Sequence, residues 1–138
     1  MSQVPAVLSI DFEFFSHTPA YRTARGEVDQ TAIGLDAADF LIDVLDNADA
    51  TATFFTVSEV ANTHPEVVAR FDDAGHEVGS HTHTHRHLDE LSSGEQREEL
   101  TRSGERLAAV VESDVTGFRA PSFRFDDGHF ERLADTGY

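Results

Sequence analysis

Residues 52–88 read ATFFTVSEVANTHPEVVARFDDAGHEVGSHTHTHRHL, and the order of parts in this stretch decides the fold. It opens within Thr51–Val57, a β-branched and aromatic run that reads as a strand. A short helical turn follows, then a helix that Pro65 opens and Gly75 closes. His76–Ser80 reads as another short strand. A strand, a crossover helix and a second strand form a βαβ unit with parallel pairing. The unit runs into GSHTHTHRHL, residues 79–88, which holds four of the chain's eight histidines, one at every second position.

The same alternation extends both ways. Upstream, Val4–Ile10 reads as a buried strand ending at Asp11 and Glu13, and a polar loop follows to about Gln30. Thr31–Asn47 reads as a helix with Leu35, Ala38, Ile42 and Leu45 on one face and Asp36, Asp39, Asp43 and Asp46 elsewhere. Downstream, Ser92 or Ser93 caps a helix, with Glu95 or Gln96 three residues on. That helix is expected to reach Glu112 and to bury Leu100, Leu107, Val110 and Val111. Thr116–Ala120 reads as a fourth strand, and Asp127–Thr136 as a last helix closed by Gly137. The pattern predicts one α/β domain over residues 1–138, with about four parallel strands in a sheet or barrel.

Composition narrows the chemistry. The hydrophobic fraction of 39%, with eleven Phe, suits a packed core. Cysteine is absent, which excludes disulfides, thiolate nucleophiles and Cys-type zinc sites. The net charge is -16, and all ten basic residues are Arg. A surface this acidic repels itself at low ionic strength and is screened by salt, so a salt-adapted protein is expected. Nucleic acid is not an expected partner, because phosphate contacts need a basic surface. The N-terminal stretch MSQVPAVLSIDFEFF has neither a basic leader nor a membrane-length apolar run, so a cytoplasmic location is expected.

Parallel strands place their C-terminal ends on one rim, where functional residues of α/β folds gather. Three polar clusters fall at strand ends: Asp11 with Glu13, the histidine run, and Arg119-Ala120-Pro121. His81 and His85, spaced i, i+4, can face one ion from a tight loop. His83 and His87 share that spacing, and an extended strand would instead put His81, His83 and His85 on one face. Two imidazoles and one carboxylate make a metal set that leaves positions for water and substrate. Of Asp11 and Glu13, one can bind the metal while the other acts as base, with Arg119 placed to pair with it.

With these residues in place, the chain resembles the polysaccharide deacetylases, the NodB-homology domain of carbohydrate esterase family four. The resemblance rests on SIDFEFF, SHTHTH and FRAPSF in that order, and its first motif is nearest the D-x-E variant. It implies a distorted seven-stranded (β/α) barrel, of which this chain would form the N-terminal part. It implies His81 and His85 as metal ligands and Asp11 as catalytic base. Arg119 would orient that base, and Glu13 would stand where the family has a metal-binding Asp. Phe14, Pro121 and Ser122 would line the substrate groove. The implied reaction is hydrolysis of an N-acetyl or other N-acyl amide on a sugar, with a divalent metal, zinc first.

The later family motifs, including a Leu-x-His segment that supplies a general acid, have no counterpart here. His17, His83, His87 and His129 remain as stand-ins, with nothing to choose between them. An open barrel would expose apolar surface, so a homo-oligomer is expected. Two other functions remain open. One is a catalytically incomplete fragment that binds metal or glycan; the other is a hydrolase of non-sugar C–N bonds.

Overall fold

The structure is a computed structural model that describes residues 5–24 and 32–138, without the side chains of Arg22 and Ala32. Three parallel strands lie in the order β1 (Ser9–Phe12), β2 (Thr53–Thr56) and β3 (Glu77–Ser80). Helices α1 (Pro19–Thr23) and α2 (Ala32–Asn47) connect β1 to β2. Helices α3 (Glu59–Thr63) and α4 (Pro65–Asp73) connect β2 to β3. After β3 come α5 (Ser93–Ala108) and α6 (His129–Asp135), with short 3-10 turns at 15–17, 88–90 and 121–123.

One face of the sheet carries the core. Phe12, Phe54 and Val78 point from successive strands toward the helices, where they meet Val60, Val68, Phe71 and Leu107. The rings of Phe54 and Phe71 stack at 4.0 Å, and Phe12 meets Phe71 edge-on at 4.9 Å. Each such buried ring contributes about 1.5–3 kcal/mol through removal of apolar surface from water. On α2, Ala38 and Leu45 are buried, and Leu35 and Ile42 pack partly against the cluster, the face its periodicity predicts.

Period-2 alternation turns the intervening residues to the opposite face. Asp11, Phe55 and Gly79 sit side by side there in register. Gly79 is required by this contact: a Cβ would stand 2.7 Å from a ring carbon of Phe55.

Three expectations are corrected. The first strand is Ser9–Phe12, shifted toward the C-terminus from 4–10, so Asp11 lies inside it; Val4 falls outside the described residues. The long helix stops at Ala108, and Val110 N already donates three residues back to Leu107 O at 3.0 Å. The fourth strand reduces to one parallel bridge between Ser80 and Phe118. Gly117 offers no side chain to pack, and Pro121 starts a 3-10 turn, so the pairing has little length over which to build. Its two hydrogen bonds, Ser80 N to Gly117 O at 2.8 Å and Arg119 N to Ser80 O at 2.9 Å, still fix Arg119 beside β3.

Candidate metal centre and catalytic site

The histidine run is a compact turn and not an extended strand. Thr82 and His85 both adopt positive φ, 68° and 59°. Thr82 Oγ1 accepts the His85 amide at 3.1 Å and closes the turn locally. The amides of Ser58 and Glu59, at the start of α3, donate to the carbonyls of Thr82 and His83, both at 3.1 Å.

This turn separates the four imidazoles. The rings of His81 and His85 converge, with centroids 5.0 Å apart. His83 is buried in a different direction, with Nδ1 2.8 Å from Ser58 Oγ. His87 lies outward, with Nε2 3.1 Å from Ser122 Oγ. Of the pairings open to the sequence, the structure therefore assembles His81 with His85.

The tautomer of His81 follows from its neighbour. Its Nδ1 lies 2.7 Å from Arg119 O, a carbonyl that can only accept, so Nδ1 carries the proton. The Nε2 lone pair then faces the carboxylates, 3.9 Å from Asp11 Oδ2. Burial pushes His81 below the ordinary histidine range and outweighs the upward pull of the Arg119 carbonyl and Asp11. For Glu13, burial pushes the carboxyl up, but the adjoining His85, then His81 and His17, outweigh it and leave it below its usual value. A neutral imidazole and an ionised carboxylate are the states a divalent cation requires.

Glu13, His81 and His85 each offer one donor atom, and all three lie within 4.8 Å of one another. Glu13 Oε2 stands 2.7 Å from His85 Nε2, yet this buried oxygen has no hydrogen-bond partner, and neither has His85 Nδ1. Donor atoms gathered this closely from two imidazoles and a carboxylate suit a common ion between them. By this observation the residues fit a divalent metal.

Asp11 sits beside this cluster and is held from the other side. Arg119 Nη1 donates to Asp11 Oδ1 at 2.6 Å, and Nη2 donates to Ser9 Oγ at 2.6 Å. The guanidinium also lies 4.3 Å over the Phe55 ring. One oxygen of Asp11 is thus occupied by arginine, and the other faces His81.

The expected groove residues fare differently. Phe14 is a correction: it is 3% exposed, stacked against His17 and edge-on to Phe12 and His64, so its ring belongs to the core. Pro121 is buried and shapes the 3-10 turn after Arg119. Ser122 is exposed, at positive φ, against His87. His129 is buried, with its ring against Phe118 and Phe125.

Sequence reasoning missed Ser9, Ser58 and Glu99. Only Glu99 left a signal: it lies in the stripe Gln96, Glu99, Leu100, Ser103, Leu107 that α5 buries, where a carboxylate is out of place unless partnered.

A parallel sheet whose strand ends gather two imidazoles and a carboxylate that could hold a metal ion, beside a separate Asp–Arg pair, defines the α/β class to which this chain belongs. Comparison with known proteins makes this specific: the polysaccharide deacetylase family model matches residues 17–138, and the chain belongs to that family. It is 31% identical over 103 residues to a chitin deacetylase of Colletotrichum lindemuthianum, covering 71% of this chain and 42% of the relative. It is 33% identical over 67 residues to a peptidoglycan-N-acetylglucosamine deacetylase of Bacillus cereus, covering 49% and 24%. The chain thus spans less than half the length of these relatives. Among solved structures, a Mycobacterium smegmatis protein assigned to the polysaccharide deacetylases superposes with a TM-score of 0.81 at 26% identity, over 96% of this chain and 48% of that one. A pseudoenzyme of carbohydrate esterase family four from Bacillus anthracis superposes at 0.72 with 28% identity, over 76% and 37%. These neighbours carry the fold expected from the resemblance.

Proposed function

We propose that this chain carries the catalytic centre of a divalent-cation-dependent hydrolase that removes N-acetyl groups from an N-acetylated sugar or glycan. The observation that carries the reading is the convergence of Glu13, His81 and His85 next to the Asp11–Arg119 pair. The deacetylase names of the relatives supply the reaction class. Glu13, His81 and His85 would hold the cation, zinc by its preference for imidazole with carboxylate, and it would supply Lewis acidity to the amide carbonyl.

The chain's own groups do the rest. Asp11 accepts a proton from the attacking water at the oxygen that faces His81, while Arg119 keeps the other oxygen fixed. The water oxygen bonds to the amide carbon, the C–N bond breaks as the nitrogen takes up the proton that Asp11 accepted from the water, and acetate and the free amine result. Arg119 also orients His81 through its main-chain carbonyl.

A second reading, a chain that binds metal or glycan without turnover, is favoured by the likeness to a pseudoenzyme. Acetate release from N-acetylated chitooligosaccharide, after chelation and zinc addition, separates the two. Zinc-dependent release is expected. Bound zinc with no release would support the second reading, and failure to bind zinc would remove the cation-dependent hydrolase and leave glycan binding alone.

Two further features belong to this reading. The exposed rings of Phe123, Phe125 and Phe130 border a pocket of about 330 Å³ with Phe55 and Arg119. They support association with a second copy, which sedimentation at high salt would detect. The lysine-free charge of -16 supports a salt-adapted, cytoplasmic setting. Among the described residues no helix is long and apolar enough to cross a membrane.

A further inference from the structure

Of the three residues between His81 and His85, His83 donates its amide, and Thr84 both its amide and its hydroxyl, to one buried side chain. Glu99, on α5, is 8% exposed. Its Oε2 accepts the amides of His83 at 3.0 Å and Thr84 at 2.9 Å, and its Oε1 accepts the Thr84 hydroxyl at 2.7 Å. A buried carboxylate is costly unless its oxygens are satisfied, and here the loop supplies the donors.

The loop in turn needs holding. Thr82 and His85 sit at positive φ, a conformation that persists when surrounding contacts over-determine it. The start of α3 grips the loop by its carbonyls, at Thr82 and His83. Ser103, also on α5, donates to Thr82 O at 3.1 Å. Glu99 grips the opposite edge, the amides of His83 and Thr84. The peptide planes between His81 and His85 are therefore pinned from both sides, and the directions of the two imidazoles follow from those planes.

We propose that Glu99 is a positioning residue for the cation site: by clamping His83 and Thr84 it pre-sets the separation of His81 and His85. This rests on the metal reading above. The clamp acts through acceptor geometry and not through charge. A glutamine there can present its oxygen to the two amides and its NH2 to the Thr84 hydroxyl, which can turn to accept.

The test uses the full chain with Co2+ alone as probe, followed by its visible absorption, together with amide hydrogen exchange of the metal-free protein. Glu99→Leu is expected to weaken Co2+ binding 10–100-fold, the range for residues that support ligands from behind. Glu99→Gln is expected to stay within about 3-fold of the parent. Exchange across residues 82–85 should accelerate in Glu99→Leu and not in Glu99→Gln. Should Glu99→Leu fail to fold, Thr84→Ala removes one donor and should weaken Co2+ binding to a lesser degree. A folded Glu99→Leu with parental Co2+ affinity would overturn the proposal, as would a Glu99→Gln as weak as Glu99→Leu. If the parent bound no Co2+, the metal reading would fall; unchanged exchange in Glu99→Leu would instead remove the clamp itself.

Discussion

Arg119 offers the sharpest perturbation, because its main chain and side chain serve different partners. The main chain pairs with Ser80 and receives His81 Nδ1; the side chain reaches Asp11, Ser9 and the Phe55 ring. Substitution removes only the second set. The Asp11 pair is partly exposed, 21% and 37% on its two side chains, so screening reduces it to about 1 kcal/mol. The bond to the Ser9 hydroxyl adds about 0.5–1 kcal/mol. Stacking on Phe55 adds about 0.5–1 kcal/mol. Arg119→Ala should therefore cost about 2–3 kcal/mol in urea unfolding. Arg119→Lys keeps the charge and one of the two donations, and should cost about 1 kcal/mol. Catalysis separates them less, because both variants free Asp11 to rotate. A misplaced base loses about 100-fold or more in kcat. Zinc affinity should hold within about 3-fold in both, since the carbonyl that orients His81 remains. Acetate release, urea titration and zinc competition read the three quantities. A lysine variant with parental kcat would refute the fork as the device that orients Asp11. A large loss of zinc binding would refute the division of labour between main chain and side chain.

Other consequences are independent of Arg119. Gly79→Ala should destabilise by about 1–3 kcal/mol and lower kcat, because the new methyl displaces the Phe55 ring on which Arg119 rests; a neutral result in urea titration would show that Phe55 moves freely. Phe71→Ala should cost about 3–5 kcal/mol, since it empties the stack between Phe12 and Phe54. Acidification should destabilise the metal-free chain at high salt. Burial holds His17, His76, His81, His83 and His129 below the ordinary histidine value, so the unfolded chain takes up protons first and stability falls as pH drops through about 6.5. Glu13, held below its usual value, adds a loss only as pH falls further through the carboxylate range. A urea midpoint higher at pH 5.5 than at 7.5 would contradict this. Raising KCl from 0.1 to 2 M should raise the urea midpoint by screening a charge of -16; an unchanged midpoint would argue against salt adaptation.

Periodicity carried the parts of the fold that depend on local chemistry. The α2 face with Ala38 and Leu45, the start of α4 at Pro65 and the capping box of Ser92 with Glu95 were all legible. Strand ends were less so, because a four-residue strand has too few alternations to locate its limits. Asp11 therefore moved from after β1 to within it. At the site, residue types and order were enough to pick out His81, His85, Glu13, Asp11 and Arg119 as neighbours. Phe14 was misplaced because an aromatic next to a polar cluster reads alike whether it turns to a groove or to a core. Its direction is set by contacts with His17 and His64, which no local pattern encodes. Ser9 was invisible for the same reason: it matters only because Arg119, 110 residues away, reaches it.

The single bridge that replaces a fourth strand explains why so short a pairing suffices. Ser80 and Arg119 exchange a two-bond contact at the point where β3 becomes the histidine turn. From there Arg119 O fixes His81, and the guanidinium crosses to fix Asp11 on β1. A longer fourth strand would add pairing below this point without touching either partner. What the centre needs is one residue whose backbone lies beside β3 and whose side chain spans to β1, over a Phe55 ring that Gly79 lets lie flat. His81 and Asp11 are thereby both fixed by one residue, although they come from the ends of different strands.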